Sequence, residues 1–167
     1  HSYSCVERIK QTFSHHTPHM SVLHNATPKE TIHDDNIENK YFALFNRSLS
    51  FRRRWWLYPS RHLIQVQKNR YGDDYFNDLR ESHVAVNIHY SKYIDFETGI
   101  FEAMSAGCAV VSESLHSQTL LDLNMKQAII QVSSPKQLKE VLLELKNNKD
   151  TLFKYRKRSI ESIHKNT

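Results

Sequence analysis

Glycine is nearly missing from this chain, with three residues in 167: Gly72, Gly99 and Gly107. A dinucleotide-binding G-x-G-x-x-G turn or a phosphate-cradling P-loop needs clustered glycines, so that backbone amides can come close to phosphate. Three scattered glycines exclude both. Cysteine is scarcer still. Cys5 and Cys108 make neither a disulfide framework nor a metal cluster, and they suit a reducing compartment where free Cys acts as a small buried hydrophobe. No apolar run approaches the roughly 18 residues of a membrane span. No signal-peptide pattern opens the chain, so the cytoplasm is the expected compartment. The glycosylation patterns at Asn25 and Asn46 then read as chance. Ser-His-Asp catalysis lacks a G-x-S-x-G elbow. His15-His16 with His19 has no helical pattern to hold it and no carboxylate or Cys nearby, so no metal site is expected.

What is present amounts to about one domain of chain. Apolar residues make up 39%, enough for one core at this length. The 23 cations exceed the 18 acids, for a net charge of +5, and the excess is gathered in one place. Arg47, Arg52, Arg53, Arg54, Arg61, Lys68 and Arg70 fall between Arg47 and Gly72 with no acid among them, which leaves the rest of the chain net negative. The Arg52–Arg54 run reads as a solvated helix face and Trp55-Trp56 as core. A basic segment carrying aromatics also keeps nucleic-acid binding open.

From about residue 20 onward, short β-rich runs alternate with helical patterns, which is the signature of βαβ units and a parallel sheet. The strands are expected at Met20–His24, Tyr41–Phe45, His62–Val66, Val84–His89, Cys108–Ser112 and Ala128–Val132. Helices are expected at Ser48–Tyr58, Tyr75–Glu81 and Thr98–Ala106. Gly107 stands where a helix takes a left-handed C-terminal residue. Ser134-Pro135-Lys136-Gln137 fits an N-cap, a proline at N1 and a Gln reaching back. Leu138, Val141, Leu142 and Leu145 then make one apolar stripe. Asn147-Asn148 breaks that helix, and a last one resumes from Thr151 to about His164.

Open parallel sheets bind ligands beyond the carboxyl ends of their strands. Asn46-Arg47-Ser48, His89-Tyr90, Thr98-Gly99 and Ser112-Glu113-Ser114 follow the strands there. Arginines, hydroxyls and a helix start suit an anion that carries hydroxyl groups. Gly99 would let the backbone come close, and Glu102 could accept hydrogen bonds from the two vicinal hydroxyls of a ribose.

The run Phe96-Glu97-Thr98-Gly99-Ile100-Phe101-Glu102-Ala103-Met104-Ser105-Ala106-Gly107-Cys108-Ala109-Val110-Val111-Ser112 carries an E-A-M-x-A-G core followed by an A-V-V-S strand. It resembles the nucleotide-sugar-binding segment of GT-B glycosyltransferases. Val86-Asn87-Ile88-His89-Tyr90 is similar to a strand of the branch related to spore-coat maturation proteins. The resemblance extends from about Met20 to the C-terminus, with Asn25-Ala26-Thr27-Pro28 and Phe45-Asn46-Arg47 at the family's two turn positions. It implies a Rossmann-like domain of about five or six parallel strands with helices on both faces. Residues 38–167 would form that domain, and residues 1–37 would be a strand, turn and connector from a preceding N-terminal domain.

By the same resemblance Glu102 would bind ribose, and Thr98 and Gly99 would face the donor's diphosphate. Arg47 and Arg52 would neutralise the departing phosphates, while His89 and Glu97 would complete the donor site. The family's second glutamate falls at Ile94, so Asp95 or Glu97 would have to supply that carboxylate. The implied reaction is sugar transfer from a nucleotide-diphosphate sugar to an unknown acceptor. It needs no cofactor and no metal, and the acceptor site lies in the N-terminal domain, so no general base is named. Two other classes remain: a non-catalytic nucleotide-recognition or protein-interaction module, favoured by Ile94, and a basic nucleic-acid-binding domain.

Overall fold

A computed structural model describes residues 39–91 and 97–166. Met20–His24, the connector before residue 38, the histidines near the N-terminus, and Ile94 and Asp95 lie outside the described residues. Within them five strands form one sheet: β1 (Tyr41–Phe45), β2 (Ile64–Val66), β3 (Ser82–Asn87), β4 (Ala109–Glu113) and β5 (Ile129–Val132). Every pairing is parallel, and the spatial order is β2-β1-β3-β4-β5. The helices are α1 (Phe51–Leu57), α2 (Gly72–Arg80), α3 (Gly99–Ser105), α4 (Ser117–Asp122), α5 (Pro135–Asn147) and α6 (Lys149–Asn166).

Alternate strand residues point to opposite faces of a sheet, and both faces here are covered. Ala43 and Phe45 of β1, Val84 and Val86 of β3, and Ala109 and Val111 of β4 join Trp56 and Leu57 of α1 and the α5 leucines in one core layer. Leu44, Ala85 and Val110, one residue out of phase, join Ile100 and Met104 of α3, Leu120 of α4 and Ile163 of α6 in the other. This is the parallel α/β layering that the sequence pattern predicts and the Rossmann-like arrangement that the resemblance implies. Leu138, Leu142 and Leu145 are at most 1% exposed, so the α5 stripe is buried as its spacing requires.

The ends of α3 fix the segment that matters for the site. Gly107 takes φ +80. Its N–H bonds the Met104 carbonyl at 3.0 Å and the Cys108 N–H bonds the Ala103 carbonyl at 3.0 Å, a Schellman closure that turns the chain directly into β4. Most element boundaries differ from the sequence pattern by one to three residues, as where β3 runs Ser82–Asn87 rather than Val84–His89 and α1 starts at Phe51 rather than Ser48. α2 begins three residues earlier, at Gly72, because Asp73 and Asp74 supply the acidic first turn that favours a helix N-terminus. α4 has six residues, too few to show a period. Gly72 itself takes φ +55, which suits the turn from the β2 loop into α2.

Candidate functional site

In the strand order 2-1-3-4-5 the connections leave in opposite directions from β1 and β3, and the gap beyond their carboxyl ends is the natural ligand crevice. A cleft of about 620 Å³ opens there. Its walls come from the turn after β1 (Asn46, Arg47, Ser48), the start of α2, Tyr90 after β3, and Glu97, Thr98 and Glu102 around the start of α3.

Arg53 holds these walls together. Ser50 caps α1, accepting from the Arg53 N–H through its side chain. One turn of α1 then places the Arg53 guanidinium inward, at 3% exposure. Its Nε donates to the Ile88 carbonyl at 2.7 Å, and its Nη1 donates to the Ser48 carbonyl at 3.0 Å. Nη2 donates to both Glu97 oxygens, at 2.8 and 3.0 Å. One side chain thus ties the β1 turn, the end of β3 and the α3 approach. Burial lowers the Arg53 pKa from its ordinary value while the Glu97 carboxylate pulls it back up. The Tyr90 N–H also donates to Glu97, at 3.0 Å, so that carboxylate is fully employed in holding the site.

Arg47 is held more loosely. Its Nε lies 3.5 Å from Glu97 Oε2, and its Nη2 donates to the Tyr75 hydroxyl at 3.4 Å. The same hydroxyl donates to Glu102 Oε2 at 2.5 Å. Burial pushes the Tyr75 phenol above its ordinary range, with the Glu102 carboxylate adding to the shift, so it stays a neutral donor. Arg47, Tyr75 and Glu102 therefore form a polar chain across the cleft, from the β1 turn through α2 to the first turn of α3. The buried Asn46 Nδ2 at the cleft wall has no hydrogen-bond partner among the described residues.

Of the residues expected at the site, Arg47, Glu97, Thr98 and Glu102 line the cleft, and Gly99 lies directly beneath the Arg47 guanidinium. Arg52 and His89 face elsewhere. Arg52 Nη1 donates to the His89 carbonyl at 2.8 Å and Nη2 pairs with Glu113, whose other oxygen accepts from the His89 N–H at 3.2 Å. The His89 ring is 2% exposed and meets the Ser114 carbonyl through Nε2 at 3.2 Å. This second network ties the carboxyl ends of β3 and β4 to α1 beside the cleft.

Sequence reasoning missed Arg53 and Tyr75. The signal for Arg53 was present, because Arg53, Trp56 and Leu57 stand at i, i+3 and i+4, on the core-facing stripe of α1. The basic run therefore splits, with Arg53 inside and Arg54 outside. The tryptophans split too, since Trp56 is 5% exposed and Trp55 is 60% exposed. No group of three His, Cys, Asp or Glu side chains among the described residues is placed to hold a metal ion.

Several solved structures share this fold. Sucrose-phosphate synthase from Thermosynechococcus elongatus superposes with a TM-score of 0.66 at 11% identity, over 98% of this chain and 52% of that one. The GtfA/B complex gives 0.60 at 12% identity, over 98% of this chain and 41% of that one. WaaG, a glycosyltransferase involved in lipopolysaccharide biosynthesis, gives 0.50 at 16% identity, over 74% of this chain and 34% of that one. The chain spans about half or less of the length of each. No family model and no curated protein sequence matches it. The likeness is one of fold, which in this chain is a five-stranded parallel Rossmann-like sheet clothed in helices.

Proposed function

We propose that the cleft binds the nucleotide-diphosphate part of a sugar donor, and that the chain is the donor-binding part of a glycosyltransferase of the GT-B type. One observation carries this reading: Arg47 of the β1 turn and Glu102 of the E-A-M-x-A-G helix meet in one cleft through the Tyr75 hydroxyl. A cation for diphosphate and an acceptor-only carboxylate for ribose hydroxyls then stand at opposite ends of a short polar chain. The fold shared with the solved glycosyltransferase chains supports it.

In this reading the bond between the sugar's anomeric carbon and the diphosphate oxygen breaks. Its electron pair stays on that oxygen, while the acceptor's hydroxyl oxygen bonds to the carbon and gives its proton to water or to a base supplied with the acceptor. Arg47 opposes the charge that develops on the diphosphate, and preorganised charge of this kind is commonly the largest contribution to such a step. Arg47 suits the role because Glu97 and Tyr75 hold it without enclosing it, leaving 21% of its side chain exposed. Thr98 offers its hydroxyl at the cleft wall, and Asn46 offers its unpartnered Nδ2. Glu97 is neutralised by Arg53 and anchors Arg47 rather than touching the donor. Arg52 and His89 support the floor between β3 and β4.

Titration calorimetry with UDP, GDP, ADP and inorganic diphosphate tests the assignment. A nucleoside diphosphate is expected to bind at millimolar concentration or better. Arg47→Ala weakens nucleotide and inorganic diphosphate alike by about tenfold or more, the size of a lost charged hydrogen bond. Glu102→Ala weakens only the nucleotides. Nucleotide binding that survives both substitutions contradicts the proposal.

A further inference from the structure

The helix α1 turns a charge inward and its aromatics outward. While Arg53 is buried, Phe51, Trp55 and Tyr58 are 88%, 60% and 65% exposed. At i, i+4 and i+7 they form one stripe along α1 and the short turn after it. A single exposed apolar side chain needs no explanation, but an aligned group of large ones marks a contact surface.

Charge says what kind of surface it meets. Of the seven cations between Arg47 and Gly72, four are engaged by acids: Arg47 and Arg53 by Glu97, Arg52 by Glu113, and Arg70 by Asp74 and Asp78. Arg54, Arg61 and Lys68 are exposed and have no acidic partner among the described residues. Arg61 lies over the Tyr58 ring, 4.5 Å from its centroid, so cation and aromatic share one patch. Aromatic rings favour the boundary between lipid headgroups and acyl chains, and exposed Arg and Lys are drawn to anionic headgroups. A single nucleic-acid strand would call for a positively charged groove with stacking platforms inside it. Phe51, at 88% exposure, stands out from the surface instead.

We propose that this face docks on an anionic lipid bilayer, with Phe51, Trp55 and Tyr58 entering the headgroup boundary and Arg54, Arg61 and Lys68 meeting the lipid phosphates. No helix among the described residues is long and apolar enough to cross a membrane. Arg54 and Lys68 also line a recess that shares Asn46, Arg47 and Ser48 with the main cleft. A docked chain therefore holds the cleft close to the bilayer surface.

Flotation with vesicles of phosphatidylcholine alone, and with roughly one third phosphatidylglycerol added, tests this on the full chain. The chain floats with the anionic vesicles only, and binding falls as salt rises. Trp55 emission moves to shorter wavelength on binding, a change that Trp55→Phe removes. Arg54→Glu with Arg61→Glu weakens binding by roughly 30-fold or more, at about fivefold per cation. Phe51→Ser with Trp55→Ser weakens it comparably, and all four positions are exposed, so thermal stability is unchanged. Absence of binding to anionic vesicles at low salt overturns the proposal. So does binding that neither double variant weakens, or salt-sensitive binding of poly(U) RNA in place of vesicles.

Discussion

Arg47 and Gly99 leave no room for a side chain between them. A β-carbon added at residue 99 would stand 1.0 Å from Arg47 Nη2 and 2.3 Å from Cζ. The obstacle is the tip of a flexible side chain, so Gly99→Ala displaces the guanidinium and leaves the backbone in place. Alanine also favours the helix over glycine by up to about 1 kcal/mol. We expect Gly99→Ala to keep or slightly raise the melting temperature while lowering nucleotide affinity as far as Arg47→Ala does. Calorimetry beside a thermal melt checks both halves. A variant that binds nucleotide like the parent chain would separate Gly99 from the site.

The Arg53–Glu97 pair is expected to be the most costly polar contact to break. Arg53→Ala takes the buried guanidinium away from the Glu97 carboxylate, which keeps only the Tyr90 N–H and Arg47, and from the Ile88 and Ser48 carbonyls. Breaking one partner of a buried pair costs about 3–5 kcal/mol. Removing both, as Arg53→Met with Glu97→Leu, recovers part of that loss. A double-mutant cycle in urea denaturation reads the coupling directly, and strictly additive losses would refute it.

Much of this layout was legible in the chain. Tyr41–Phe45 is β1 to the residue, and Ser134 caps α5 by accepting from the Gln137 N–H at 3.2 Å. The Gln137 side chain reaches Ser133 rather than Ser134, at 2.8 Å to its N–H. Ser134→Ala is expected to cost about 1 kcal/mol, measurable as a lower urea midpoint with an unchanged slope.

The site was less legible than the strands. Periodicity reports which side of a helix is buried, but it carries no information about which distant acid meets a buried cation. Arg52 and Arg53 are adjacent in the chain, yet they serve Glu113 and Glu97 on different sides of β3. Tyr75 reads as an ordinary amphipathic position of α2, and only the packing of α2 against α3 brings its hydroxyl to Glu102. Glu102 itself was legible because the E-A-M-x-A-G pattern fixes it to the first turn of α3.

Acid should weaken the fold through His83. Burial lowers its pKa, and the charge of Arg156, whose Nη1 lies 3.2 Å from His83 Nδ1, lowers it further. The unfolded chain then binds the proton more readily than the folded one. The stabilising effect of a neutral His83 is complete above its unfolded pKa of about 6.5 and is lost as pH falls below that value. Urea midpoints taken from pH 7.5 downward in His83→Gln should show a shallower acid decline than the parent chain. An identical decline would remove His83 as its cause.

The scarcity of glycine supplies the most direct test of the central claim. Backbone amide spectra of the chain labelled with nitrogen-15 contain only three glycine signals, from Gly72, Gly99 and Gly107. Gly72 lines the proposed donor cleft and Gly99 lies under Arg47, whereas Gly107 closes the far end of α3. Titration with UDP-, GDP- and ADP-sugars should move the Gly72 and Gly99 signals with one saturable curve and leave Gly107 in place. Signals that stay fixed with every donor, or a shift confined to Gly107, would contradict donor binding in this cleft.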